Sequence, residues 1–297
     1  MRKKLIGGIL VLLFGTLLWY LFLKPHDYQV NFKVKASPGI INQSIKLWAD
    51  GFESSKFITQ KDWQHFTHQL KFNDSTHTYE WYVKTLNDSI SQVKVFVTDT
   101  ANSFSNKLAI PFSETNFEKR TKETVKDLRS VLKEHIERFK VTIVGLEEIQ
   151  PKYCAYVSFK SKQTEKALQM MKTYSYLNST MTENSFQLDG PPFIEIVNWN
   201  KQQDSITFNF CYPILKPDSL PKIEGIFFKK IQGRKAIKSI YNGNYITSDR
   251  AWYTMLEYAS KNNLAIEETP IEIFYNNPNM GGDELKWKAE VFMPLKE

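Results

Sequence analysis

The second half of this chain repeats itself, and an internal repeat constrains a fold more than any single motif does. "KYCAYVSFKS" reads as a strand, "KQTEKALQMMKTYSYLNS" as a helix, and "FIEIVNWN" and "SITFNFCYPI" as two further strands. The order then returns with "RKAIKSIYNGNY", "SDRAWYTMLEYASKNN", "IEIFYNN" and "LKWKAEVFMPL". Ile194-Glu195-Ile196 recurs as Ile271-Glu272-Ile273, each with a proline just before it, Pro192 and Pro270. Tyr212-Pro213-Ile214 closes one copy and Met293-Pro294-Leu295 the other, with a Pro-rich linker, "LKPDSLPKIEG", between them. Two copies of this size, at about 151–214 and 226–297, would each leave an apolar sheet face open. Pairing across a pseudo-twofold axis buries both faces and leaves a cleft between the copies.

Glu272 stands out within the repeat. A carboxylate among Ile271, Ile273 and Phe274 is costly unless something pairs with it. The alternation of a strand offers two answers besides a ligand. Glu272 pairs with a lysine on a neighbouring strand, Lys286 or Lys288, or it points to solvent.

Several residues of the second copy carry a family resemblance: Tyr241-x-Gly243-x-Tyr245, then Trp252 and Tyr258 on the helix, Pro270-x-Glu272-x-x-Tyr275, and the closing Met293-Pro294-Leu295. With the duplicated plan, they make residues from about 143 to 297 resemble the GyrI-like domains, small-molecule-binding modules also found in transcription regulators. The resemblance implies a pocket between the copies, where aromatic rings stack on a flat or cationic ligand and a buried glutamate answers its charge. Carried over by position, Glu272 is the acid, Trp252 and Tyr258 come from the helix, and Tyr241 and Tyr245 from the strand before it. Tyr275 turns either toward the same pocket or to the opposite face. Glu195 and Trp199 are the counterparts in the first copy.

The resemblance implies binding of an aromatic or cationic small molecule, with no cofactor. Two alternatives stand beside it. One is a hydrolase of small reactive electrophiles with Glu272 as acid, base or nucleophile. The other is a non-catalytic interaction protein whose pockets are filled. Regulators of this family carry a helix-turn-helix, and none is recognisable here. The net charge of +7 is spread along the chain without a Lys/Arg tract, so nucleic acid is not an expected partner.

Residues 27–142 read differently. "DYQVNFKVKAS" alternates as a half-buried strand, and "IINQSIKLWADGF" has helical spacing. Three strands follow, "HQLKFND", "THTYEWYVKTL" and "ISQVKVFVTD", with turns at Asn73-Asp74-Ser75 and Asn87-Asp88. A long helix from about Glu114 to Phe139 carries Phe117, Val125, Leu128, Leu132, Ile136 and Phe139 as one stripe. This order resembles the START-like helix-grip (SRPBCC, polyketide-cyclase-like) domains, which implies a curved sheet around the long helix and either an apolar cavity or a filled core. The fold class is therefore α+β.

Residues 1–26 form the last segment. Arg2, Lys3 and Lys4 precede nineteen uncharged residues, Leu5–Leu23, and Lys24-Pro25 stops them. That length spans a bilayer, Trp19 and Tyr20 suit an interface, and no short apolar core with an Ala-x-Ala exit suggests cleavage. An uncleaved single-pass anchor is expected, with the N-terminus cytoplasmic and the rest periplasmic, although Lys33 and Lys35 reduce the charge asymmetry. The layout resembles that of bacterial envelope proteins. The two cysteines, Cys154 and Cys211, read as buried free thiols rather than a scaffold. His65, His68 and His77 have no ligand spacing, so no metal is expected. Gly281-Gly282-Asp283 reads as a hairpin turn.

Overall fold

The computed structural model describes residues 2–72, 75–87 and 90–296. The turns expected at Asn73-Asp74 and at Asp88 lie outside them. The chain is mixed α+β, with two antiparallel sheets and six α-helices among the described residues. It forms two compact units, Met1–Lys133 and Glu134–Glu297.

The first unit opens with α1 (Arg2–Leu18), prolonged by a wider-wound turn, Trp19–Leu23. Lys4–Leu23 has mean hydropathy 2.3 and none of it is buried. By length and composition this helix can cross a membrane. Then come β1 (Tyr28–Val34), α2 (Pro38–Ala49), β2 (Ser55–Gln60), β3 (His65–Lys71), β4 (Thr76–Asn87), β5 (Ile90–Asp99), α3 (Ser103–Ala109) and α4 (Asn116–Glu137), whose last residues, from Glu134, belong to the second unit. The sheet order is β1-β5-β4-β3-β2.

The alternation in the sequence sets the buried face. Val93, Val95 and Val97 of β5 and Tyr79, Trp81 and Val83 of β4 are all buried. Each such side chain contributes about 1.5–3 kcal/mol by leaving water. Ser37 accepts from Ile40 N and Pro38 opens the helix, a start signal for α2. On α4 the buried residues Phe117, Thr121, Val125, Leu128 and Leu132 follow a 3–4 spacing. Trp48 Nε1 donates to Asp127 Oδ2 at 2.8 Å and ties α2 to α4. His68 accepts from Trp81 Nε1 at 2.7 Å, and burial holds its pKa down to about 3. His65 turns instead to Asp62. Among the described residues no group of three His, Cys, Asp or Glu could hold a metal.

The second unit contains β6 (Lys140–Ile149), β7 (Lys152–Lys162), α5 (Lys166–Glu183), β8 (Phe193–Asn200), β9 (Ser205–Pro213), β10 (Phe227–Ile231), β11 (Arg234–Asn242), α6 (Arg250–Lys261), β12 (Ile271–Phe274) and β13 (Lys288–Pro294). They form one eight-stranded sheet, β10-β7-β9-β8-β12-β13-β11-β6. α5 and α6 cover one face, over a core that includes Ile194, Ile196, Phe208, Phe210, Trp252, Phe274 and Val291. On the other face Ile149, Cys154, Phe193, Cys211, Ile231, Ala236, Ile271 and Phe292 form a second cluster. Lysine stems help cover it: Lys229 lies 5.3 Å over Tyr156 and Lys238 5.4 Å over Phe292. Cys154 and Cys211 are free thiols, both buried.

Hydrogen bonds recur in the two halves of this sheet. Phe274 N donates to Pro192 O at 3.0 Å, and Ile196 N to Pro270 O at 2.9 Å. Asp189 N donates to Pro213 O, and Glu267 N to Pro294 O. Ser185 and Asn263, just past the two helices, share a φ of 54°. With Pro192 and Pro270 in matching places, Glu272 corresponds to Ile194, and Glu195 to Ile273. Glu272 pairs across the seam with Ile194, and Glu195 with Ile271. Opposed residues of antiparallel strands share a face, so Glu195 and Glu272 point to opposite faces. The shared Ile-Glu-Ile text is out of register by one residue, and a shift of one reverses every side chain. Glu195 is therefore not the counterpart of Glu272. The seam itself is short: three opposed pairs join β8 to β12, against nine between β7 and β9.

The segment around Gly281-Gly282 is not a tight hairpin turn. It carries two short 3₁₀ turns, Pro278–Met280 and Glu284–Lys286, between β12 and β13.

Candidate functional site

A cavity of about 510 Å³ opens on the helical face of the second unit. α5 contributes Ala167, Met170, Met171, Tyr174 and Asn178, and β9 contributes Phe210 and Tyr212. The far wall is Tyr245, Phe274 and Trp287, with Asn276 and Asn277 at its edge. None of the described residues lining it carries a charge. Aromatic rings and methionines, which suit flat or irregular apolar molecules, form much of its walls, with asparagines such as Asn178, Asn244 and Asn279 among them.

Local chemistry fixes the far wall. The Tyr245 hydroxyl donates to Lys288 O at 2.8 Å and accepts from Asn276 N at 3.1 Å. Its ring centroid lies 4.8 Å from Phe274 and 5.7 Å from Trp287. Burial raises the Tyr245 pKa, so the phenol stays protonated. Tyr212 is also raised, by burial first and then by Tyr174, and its hydroxyl has no hydrogen-bond partner among the described residues.

Glu272 is fully buried and does not line the cavity. Lys166 Nζ, at the start of α5, meets Glu272 Oε1 at 3.0 Å and Oε2 at 2.7 Å. Ser248 Oγ lies 2.7 Å from both Lys166 Nζ and Glu272 Oε2. The ammonium also sits 4.9 Å over the Trp252 ring. Charge, hydrogen bonds and a ring face thus balance one another inside the protein. The partner is Lys166 rather than Lys286 or Lys288, which turn to Asp283 and Glu290.

A second buried network adjoins the first. Gln163 Oε1 accepts from Trp199 Nε1 at 2.9 Å, and its amide nitrogen donates to Asp249 and to Tyr253 Oη. Arg250 holds Asp249 at 3.0 Å and donates to His135 Nε2 at 3.3 Å. Burial, then the Arg250 charge, brings the His135 pKa down to about 4.

Of the eight residues singled out from the sequence, Tyr245 and Tyr275 border the cavity. The hydroxyl of Tyr275 donates to Glu290 at 3.1 Å. Trp252 and Trp199 come together at 5.0 Å, within the buried networks. Tyr241 is buried, its hydroxyl bonded to Asn244 O and Thr247. Gly243 has φ +149°, and a Cβ there would lie 2.7 Å from Tyr241 Oη and 2.8 Å from Phe139 Cβ, which explains the glycine in Tyr241-x-Gly243-x-Tyr245. Tyr258 packs at the edge of the core. Glu195, on the opposite face, is held by Lys229 and Asn209.

Residues 144–296 match the sequence model of the GyrI-like small molecule binding domain. The chain belongs to the GyrI-like family. Among solved structures this GyrI-like chain is similar to the EcmrR C-terminal domain, at 15% identity and a TM-score of 0.44, over 54% of this chain and 98% of that one. It is similar to SAV2435 bound to tetraphenylphosphonium, at 10% identity and a TM-score of 0.35, over 53% and 94%. It is also similar to a hydrolase from Listeria innocua, at 13% identity and a TM-score of 0.33, over 51% and 92%. No curated protein matches it.

Met170, Met171 and Tyr174 are absent from the residues read from the sequence, which places the pocket between the copies but takes only Glu195 and Trp199 from the first. Their signal is a stripe on one side of α5, where Met171 is 56% exposed.

Proposed function

We propose that this chain is a small-molecule-binding protein held at a membrane by its N-terminal helix. Its ligand occupies the cavity between α5 and the wall of Tyr245, Phe274 and Trp287. The observation that carries the proposal is an uncharged, aromatic and methionine-lined cavity of about 510 Å³ inside a GyrI-like small-molecule-binding domain. The ligand is aromatic. A delocalised cation also fits, held by ring faces, at about 0.5–2 kcal/mol for each contact. Glu272 acts through the fold, because Lys166 already balances its charge. The same burial favours binding over turnover: Ser248, Lys166 and Glu272 have no exposure through which a substrate could reach them.

Within this proposal the two halves of the domain are related by a pseudo-twofold axis at the β8–β12 seam, as the paired Pro192 and Pro270 hydrogen bonds support. The first unit is a START-like domain, in keeping with its order of strand, helix, antiparallel strands and long helix. The N-terminus lies in the cytoplasm, and residues 25–297, beyond the anchor, lie in the periplasm.

Calorimetric titration with neutral polycyclic aromatics and lipophilic cations, tetraphenylphosphonium among them, tests the binding site. Saturable binding is expected, and Met171→Arg, which puts a charge at the partly exposed mouth, abolishes it without lowering the Tm. Heat from no member of the panel sinks the proposal.

A further inference from the structure

α3 is built inside out. Its polar residues Asn106 and Lys107 are buried, while Phe104 and Leu108 are 50% and 52% exposed. Phe112, in the turn that follows, is 87% exposed. These three lie four residues apart, so they share one face of the helical path. The polar side is anchored firmly. Asn106 Nδ2 donates to Asp99 Oδ2 at 3.3 Å, and Ser103 Oγ donates to the buried Asp27. Lys107 Nζ donates to Lys24 O and lies 3.6 Å from Asp27. The apolar stripe is thereby held outward, where water alone would disfavour it.

Position identifies the cover. Lys24 is the residue that follows the apolar span Lys4–Leu23. Phe104 touches the last turn of that span directly, its ring centroid 5.6 Å from Phe22. Twenty helical residues rise about 30 Å, the thickness of a bilayer core. If the helix crosses a bilayer, whatever touches Phe22 lies at the depth of the membrane–water boundary.

We propose that the stripe Phe104, Leu108 and Phe112 is a second membrane contact, a lipid-facing foot lying in the interface beside the anchor. This rests on the reading of the N-terminal helix as a membrane span. The foot fixes the first unit against the bilayer surface, where a bare anchor would leave it free to swing. A single-pass helix with an apolar stripe beside its exit fits a lipid surface in the manner of interfacial helices.

The test uses the full chain reconstituted in phosphatidylcholine–phosphatidylglycerol vesicles, with bimane on Leu13→Cys, Phe112→Cys or, as a control, Met280→Cys. Cys154 and Cys211 are fully buried and escape labelling. Expected is quenching of the Phe112 label about two-fold or more by lipids with a shallow doxyl group, since interfacial side chains sit roughly 5–10 Å into the headgroup boundary. The Leu13 label is then quenched by deep doxyl lipids and the Met280 label by neither. A quenched Leu13 label with a Phe112 label that matches Met280 overturns the foot while keeping the anchor. If Leu13 is not quenched either, the anchor reading fails and takes the foot with it. A Phe112 label shielded from lipid and iodide alike means that a second copy covers the stripe, which also overturns the proposal. Phe104→Ser with Leu108→Ser, in vesicles, should reduce shallow quenching at Phe112 while leaving Leu13 unchanged; no reduction counts against the foot.

Discussion

Lys166 and Glu272 meet across the two halves of the eight-stranded sheet, one from the first helix of the repeat and one from the strand of the second, with both carboxylate oxygens within 3.0 Å of the ammonium. Neither side chain has any exposure. A buried pair of this kind contributes little net stability, because desolvation offsets the attraction, yet removing one partner strands the other.

The single variants Glu272→Gln and Lys166→Met are therefore each expected to lose about 3–5 kcal/mol in urea unfolding. The double variant Lys166→Met with Glu272→Leu should recover most of that loss, since two apolar groups replace the pair. A double variant as unstable as the sum of the singles would show that the pair is not coupled.

Stability of the second unit should fall as pH drops from 6.5 to about 4, the value to which burial and Arg250 bring His135. In that window the unfolded chain binds a proton that the folded His135 refuses, so unfolding is favoured as pH falls. The loss is about 3 kcal/mol at its fullest. His135→Gln keeps an acceptor for Arg250 and should flatten this part of the profile, measured as Tm at pH 6.5 and 4.5. His68, held down to about 3, contributes in the same direction in the first unit.

Gly243→Ala is expected to cost about 1–3 kcal/mol from its backbone angle alone, and more from contact with Tyr241. Gly145→Ala separates the two effects. Gly145 has φ +126°, but nothing lies within 4 Å of its would-be Cβ. Equal losses at the two positions in thermal melts would rule out the contact.

Tyr212→Phe removes a buried hydroxyl without a partner, so the free protein should be unchanged or gain about 1 kcal/mol. Calorimetry against the same aromatic panel then shows whether a ligand uses that hydroxyl: a loss of affinity beside an unchanged Tm locates the contact.

Much of the fold was legible where periodicity speaks. The α4 stripe and the alternation of β4 and β5 declared themselves, as did the strand–helix–strand–strand order of both copies. α3 was not legible, because its polar residues face inward and its apolar ones outward, the reverse of the pattern that marks a soluble helix. β6, which carries a register shift beside Gly145, was passed over between α4 and the repeat. The fate of Glu272 was out of reach for a different reason. Its partner lies 106 residues away on a helix, and no spacing along a strand points to it. The match of Glu195 to Glu272 shows how a convincing three-letter repeat can mislead by one position, when face is decided by register.

The short β8–β12 seam leaves the two four-stranded halves joined by less backbone pairing than holds either half together. The cavity takes its walls from both sides of that seam. Anything lodged there becomes a brace between the halves, and its binding free energy adds to their hold on each other. Occupancy is then readable far from the ligand, as slower hydrogen exchange at the amides of Ile194 and Glu272, which face each other across the seam, so that the sheet itself reports whether the cavity is filled.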